Sequence, residues 1–273
     1  MTVSGKVVAI TGGARGIGLA IATALHSQGA RVAIGDIDEV TVRESGRQLG
    51  LEVACRLDVT DRPSFTGFLD ATEQRLGPID VLVNNAGVIA VGSAVTEPDD
   101  VTRRLLDVNV FGVILGTKLA ADRMLPRSSG HVINIASLGS VTPTEGIATY
   151  CATKHAVLGY TDSVRLENRG SGVHFSAILP TLTNTEMTSG IGHAKGLRNA
   201  EPNDVARAVI ALIDRPRPRL FVPHALGALI LVQRLMPQSL AELTGRLLGT
   251  SRVFTSDVQP ELRQRYAGRT GTS

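Results

Sequence analysis

The sequence predicts an α/β fold: a doubly wound parallel sheet with helices on both faces. Three observations lead there. Short branched-chain runs recur along the chain, helical periodicity fills the gaps between them, and a glycine turn joins the first run to the first helix. Runs that are apolar throughout belong to strands buried on both sides, and in such sheets ligands collect at the carboxyl ends of the strands.

Val7-Val8-Ala9-Ile10 is the first such strand, closed by Gly12-Gly13. Ile17, Ala20, Ile21, Ala24 and Leu25 then recur at helical spacing up to Gly29, which stands where a helix C-cap is expected. Residues 31–36 supply the second strand and complete a parallel βαβ unit. Val53-Ala54-Cys55 is the third strand, Asp61 and Pro63 open a helix, and Val81-Leu82-Val83 is the fourth strand. One long helix is expected from about Asp99 to Leu125, a strand over 131–135, a helix over 148–168, a strand over 173–179, and a last strand over 220–222.

With 273 residues, 43% hydrophobic, 19% charged and 29 glycines, the chain suits one compact domain over 1–223. The segment Arg215-Pro216-Arg217-Pro218-Arg219 is linker-like, and an apolar, basic helical extension over 224–273 is expected to pack on the same domain. Leu226, Leu229, Ile230, Leu231, Val232, Leu235 and Met236 lie there with Arg234, Arg246 and Arg252. Three roles are open to this tail: a cover on a cleft, a subunit interface, or a peripheral membrane contact. The formal charge of +3 comes from 28 basic and 25 acidic residues that are interspersed, so nucleic-acid binding is not indicated. Cys55 and Cys151 form no disulfide framework and no metal site is expected. The start of the chain runs straight into a strand, which leaves no room for a signal peptide, and the apolar run 225–232 is far short of the ~20 residues of a bilayer span. A cytoplasmic protein with no transmembrane segment is the expectation.

The loop Thr11-Gly12-Gly13-Ala14-Arg15-Gly16-Ile17-Gly18 lies between a strand and a helix. Its glycines let backbone approach a pyrophosphate, and the helix N-terminus offers amide donors to the same charge. Asp36 closes the second strand, where a carboxylate accepts from ribose hydroxyls and repels a 2′-phosphate, so NAD is favoured over NADP. Arg15 keeps NADP as the alternative, because a guanidinium in the loop is able to pair with that phosphate. Asp38 is expected to cap the following helix, and Asp58, at the end of the third strand, to meet the adenine amino group.

These residues resemble the short-chain dehydrogenase/reductase family, which joins such a glycine loop to an Asn-Asn-Ala-Gly segment, a serine and a Tyr-x-x-x-Lys pair. Here they stand as Thr11 to Gly18, Asn84-Asn85-Ala86-Gly87, Ser137, and Tyr150-Cys151-Ala152-Thr153-Lys154, with Asn109 matching the family's asparagine. The resemblance covers about residues 5–190 and implies a Rossmann-type sheet, an alcohol–carbonyl oxidoreductase and a nicotinamide cofactor. Tyr150 and Lys154 share a helix face, so the ammonium is expected to lower a phenol pKa that otherwise lies near ~10. Ser137, at the end of the preceding strand, is expected to hold the substrate oxygen, with Ser140 a nearby competitor. By resemblance Asn109 supports a water in the proton relay, an assignment that also explains a poor helix former inside a helix.

The implied cofactor contacts begin with Gly12, Arg15, Gly16, Ile17 and Gly18 in the loop, then Asp36 and Ile37, then Asp58 and Val59. They continue with Asn85, Ala86 and Gly87, with Tyr150 and Lys154, and with Pro180, Thr183 and Thr185. In that last segment Thr181 and Thr183 replace the family's glycine and branched apolar residue, so a different local backbone is expected. Residues 186–200, with Met187, Ile191 and Leu197, suit a lid over an apolar substrate. The resemblance further implies a homodimer or homotetramer acting on a small alcohol or carbonyl compound. Two other readings remain open: an NADP(H)-dependent carbonyl reductase, and a nucleotide-binding sensor or scaffold without turnover.

Overall fold

The computed structural model describes residues 3–191, 199–224, 253–255 and 258–272. The chain alternates strand and helix: β1 (Val7–Thr11), α1 (Gly16–Ser27), β2 (Arg31–Asp36), α2 (Glu39–Leu49), β3 (Val53–Arg56), α3 (Arg62–Leu76) and β4 (Val81–Asn84). It continues through α4 (Asp99–Leu106), α5 (Gly112–Met124), β5 (Gly130–Ile135), α6 (Ala148–Glu167), β6 (Val173–Pro180), α7 (Pro202–Asp214) and β7 (Arg219–Val222). A further helix, α8 (Pro260–Thr270), lies in the C-terminal extension.

The seven strands form one sheet in the order β3-β2-β1-β4-β5-β6-β7, and every neighbouring pair is parallel. Chain order reverses between β1 and β4. That switch point opens a crevice at the carboxyl ends of these two strands. Alternate residues of each strand feed opposite cores. Val8 and Ile10 of β1 join Ile21 and Leu25 of α1 and Val209 and Leu212 of α7 on one face. Val7 and Ala9 join Phe65, Phe68 and Leu69 of α3 and Leu115 and Leu119 of α5 on the other.

Helix starts follow the capping rules. Asp38 accepts from the Thr41 amide at 3.1 Å and Asp61 from the Ser64 amide at 2.9 Å, each satisfying a free N–H of a first turn. The long helix expected over 99–125 is present but not continuous. A π-helical turn, Asp107–Phe111, separates α4 from α5, and Asn109 lies inside it. This turn is the local explanation that an asparagine there called for, since such bulges shift the backbone register at functional positions. The fold also contains α7, which was not expected from the sequence although Pro202 opens it and Val205, Val209 and Leu212 line one buried face.

The apolar stretch 226–236 and Arg234, Arg246 and Arg252 lie outside the described residues, as does Leu197 of the expected lid. Among the described residues no helix is long and apolar enough to cross a membrane.

Candidate active site

A cavity of about 730 Å³ opens along the carboxyl ends of the strands. That volume falls within the range of roughly 300–1,000 Å³ usual for small-molecule sites. One end is built by the glycine loop. Gly12 and Gly16 have φ of +66° and +56°, which only glycine adopts freely. A Cβ on Gly12 would stand 2.9 Å from Ala86 Cα. The hydroxyl of Thr11 accepts from the amides of Asn85 and Ala86 at 3.0 Å, and the Asn85 side chain donates to the carbonyls of Thr11 and Gly12. These bonds fasten the end of β1 to the end of β4. The loop's bare backbone and the start of α1 fit a dinucleotide pyrophosphate.

Asp36 caps the end of β2, where its carboxylate accepts from the amides of Ala14 at 3.1 Å and Asp38 at 3.1 Å. Arg15 is engaged elsewhere: its guanidinium donates to Asp38 and to the Thr41 hydroxyl, and lies 3.5 Å from Glu186. The amide and hydroxyl of Thr41, with Arg15, hold the Asp38 carboxyl below its usual range. Asp58 accepts from the amide and hydroxyl of Thr60 at 2.9 and 2.7 Å; these bonds outweigh its burial and keep it acidic.

The other end is formed by β5, the turn after it, and α6. Ser137 accepts from the Gly139 amide at 3.1 Å, while Ser140 is 1% exposed and holds the Ser137 amide at 3.2 Å. Ser137 lines the cavity, whereas Ser140 lies behind it and holds the Ser137 amide. Tyr150 and Lys154 both reach the cavity from α6. Lys154 Nζ donates to the Ile135 carbonyl at 2.9 Å and lies 5.7 Å from the centre of the Tyr150 ring. Burial pushes the Tyr150 phenol well above its ordinary value, and the Ser137 hydroxyl only partly counters this. Burial also brings Lys154 down to about 8. The net effect of the fold on the phenol is thus opposite to the lowering expected from Lys154. Burial of the phenol leads this rise, and Lys154 is itself desolvated.

Asn109 does not line the cavity. It is fully buried, accepting from the Val88 amide at 2.8 Å and donating to the Val88 carbonyl at 2.9 Å and the Thr153 hydroxyl at 3.1 Å. Gly18 also lies behind the wall, against Gly12 and Asn85. The other expected residues line the cavity: Ile17, Ile37, Val59, Ala86, Gly87, Pro180, Thr183 and Thr185 join those above. Thr181 causes no unusual backbone, since Ser128 is the only non-glycine with positive φ among the described residues. Thr183 is buried, donates to the Thr181 carbonyl at 3.0 Å and pairs with Ala200 across the base of the 186–200 loop.

Several residues join the site without having been expected from the sequence. Ile89 and Ile147 line the cavity together with Val253, Phe254 and Tyr266 of the C-terminal extension, beside Met187 of the expected lid. The described part of that extension therefore covers the cleft. A cover on the cleft was one of the three roles open to the tail; which of its residues supply the cover was not legible, because contacts between residues so distant in sequence leave no local pattern.

The chain matches the short chain dehydrogenase family model over residues 6–196, and it belongs to that family. Among curated relatives, "Probable oxidoreductase EphD" of Mycobacterium tuberculosis (strain ATCC 25618 / H37Rv) is 30% identical over 265 residues, covering 88% of this chain. The match takes in 45% of that relative, so this chain spans about half its length. The "3-alpha-(or 20-beta)-hydroxysteroid dehydrogenase" of the same strain is 37% identical over 222 residues, covering 76% of this chain and 82% of that protein. A crystal structure of a short chain dehydrogenase/reductase from Burkholderia phymatum in complex with NAD superposes with a TM-score of 0.78 at 26% identity, covering 86% of this chain and 94% of the other.

Proposed function

We propose that this protein interconverts a lipophilic secondary alcohol and its ketone (or an alcohol and its aldehyde) with NAD(H). The observation that carries the reading is that Ser137, Tyr150 and Lys154 open onto the same cavity as Asp36 and the glycine loop. Bound there, the nicotinamide would supply or accept the hydride. The chain's own residues do the rest. Ser137 hydrogen-bonds the substrate oxygen, and Tyr150 passes a proton to or from that oxygen. Lys154, held by the Ile135 carbonyl, supplies positive charge beside the phenol. Asn109 holds Val88 and Thr153 in place and keeps the register from which a proton relay would leave Lys154.

Two features support NAD over NADP. The Asp36 carboxylate lies at the end of β2, where it would accept from ribose hydroxyls, and the Arg15 guanidinium already has Asp38 as its partner. The relative bound to NAD points the same way. The apolar wall of Ile89, Ile147, Met187, Val253 and Phe254 supports a lipophilic substrate, as does the hydroxysteroid dehydrogenase relative. Self-association as a homodimer or homotetramer belongs to the same proposal. It is supported by the exposed Leu106 and Phe111 near the π turn and Leu166 at the end of α6, and a scattering mass equal to one chain would overturn it.

The test follows reduced-nicotinamide absorbance over a panel of alicyclic and long-chain secondary alcohols, with NAD and NADP, for the natural protein and Tyr150→Phe. Turnover with NAD that Tyr150→Phe abolishes is the expected result. Turnover with NADP alone would overturn the cofactor assignment, and nucleotide binding with no turnover across the panel would favour a sensing role.

A further inference from the structure

Helix α8 carries a second phenol to the chamber in which Tyr150 stands. Tyr266 is 4% exposed, lines the cavity, and shares an apolar cluster with Ile89, Ile147, Cys151 and Tyr150. The two phenols lie within electrostatic reach, since Tyr266 adds to the upward pressure on Tyr150.

The ring of Tyr266 is held before any substrate arrives. The Arg263 guanidinium stands 4.6 Å from its centre and that of Arg269 5.7 Å. Arg263 is itself anchored, donating to the carbonyls of Met187 at 2.7 Å and Ile89 at 3.4 Å. A side chain fixed in this way loses little freedom on binding, which favours it as a recognition group.

Its hydroxyl is only half used. Tyr266 Oη accepts from the Ile89 amide at 3.3 Å, and a phenol oxygen also carries a proton to donate. That proton has no acceptor among the described residues. The nearby cations are committed: Arg269 pairs with Glu186 at 3.1 Å, and Arg263 is bound to carbonyls. The chamber therefore presents this neutral donor, beside the apolar Ile89, Ile147, Met187 and Phe254, to a neutral acceptor.

Resting on the alcohol–ketone reading above, we infer that Tyr266 is a specificity-determining residue. It donates a hydrogen bond to a carbonyl or ether oxygen remote from the reacting carbon, and so selects lipophilic molecules bearing two oxygen functions over those bearing one.

Fused-ring diketones of decalin and androstane, each paired with a monoketone of the same skeleton, test this. Their dissociation constants from the protein loaded with NADH or NADPH are read by quenching of nicotinamide fluorescence, which requires no turnover. The natural protein should bind at least one diketone more tightly than its monoketone. Tyr266→Phe should weaken that diketone about threefold to tenfold, the range of one neutral hydrogen bond, and leave the monoketone within about twofold. Because both ligands are compared on one variant, a partial loss of folded protein does not change the ratio. A natural protein without a diketone preference, or a Tyr266→Phe variant that weakens both ligands equally, would overturn the assignment. A preserved preference without turnover of any alcohol would overturn the enzymatic reading and leave Tyr266 as a binding determinant.

Discussion

Gly18 packs against Gly12 so closely that a Cβ added to Gly18 would lie 2.1 Å from the Gly12 carbonyl oxygen and 2.7 Å from the Asn85 side-chain nitrogen. The contact brings the first turn of α1 onto the end of β1 and so sets where the amides of the glycine loop point. Gly18→Ala should therefore cost about 2 kcal/mol or more of stability and abolish measurable nucleotide binding. Gly67, on the exposed side of α3, has nothing within 4 Å of an added Cβ, and Gly67→Ala should stabilise by about 0.5–1 kcal/mol. Denaturant titration of both variants checks the pair; equal effects would refute the packing argument.

Cofactor choice should respond to Asp38 as well as to Asp36. Asp38→Asn keeps a side chain able to cap α2 but removes the charge that holds Arg15. The freed guanidinium should raise affinity for NADPH relative to NADH by roughly tenfold, the scale of a hydrogen bond to a charged group. Fluorescence titration with the two reduced nucleotides measures the ratio, and an unchanged ratio would place Arg15 out of reach of the 2′ position.

Asn109→Ala leaves the amide and carbonyl of Val88 without their partner in a fully buried position. Each unmet group costs about 1–3 kcal/mol, so a loss of roughly 2–6 kcal/mol is expected. Asn109→Asp, which retains the acceptor for the Val88 amide, should fall between the two. If calorimetry ranked Asp below Ala, the penalty would come from a buried charge and not from the lost amide bond.

His131 gives the fold a sensitivity to acid. It is 5% exposed, its Nε2 lies 2.8 Å from the Ser176 hydroxyl, and burial together with His174 and Lys6 pushes its pKa down from 6.5 to about 3. The unfolded chain takes up this proton near pH 6.5 and the folded chain only near pH 3. The neutral ring thus favours the folded state fully above pH 6.5, and stability falls at about 1.4 kcal/mol per pH unit as the pH drops through that window. His131→Asn should flatten the decline between pH 6.5 and pH 4.5 in urea unfolding; an equal slope in both proteins would assign it to other groups.

The strands were legible to within a residue because a parallel sheet covered on both faces leaves uninterrupted apolar runs such as Val7–Ile10. The glycine loop, Ser137 and the Tyr150–Lys154 pair were legible because each sits at a strand end or within one helical turn, where spacing in sequence is spacing in space. What stayed hidden was tertiary. The pairing of Arg15 with Asp38, the π turn around Asn109 and the placement of Tyr266 beside Tyr150 depend on packing between distant elements. The phenol of Tyr150 is the clearest case. Its neighbour in sequence suggested a lowered pKa, whereas the walls around it, visible only in three dimensions, raise it.

The groups that would handle the proton lie within residues 137–154, while part of the wall facing them is supplied by Val253, Phe254, Tyr266, Arg269 and Thr270. On the proposed function, the reaction chemistry and one part of the substrate wall would thus be written in separate stretches of the chain. The turn after β5 and helix α6, which carry Ser137, Tyr150 and Lys154, need not be altered for residues in the C-terminal stretch to be exchanged. A duplicated copy of this chain could drift towards new substrates through its tail alone, keeping the same reaction throughout.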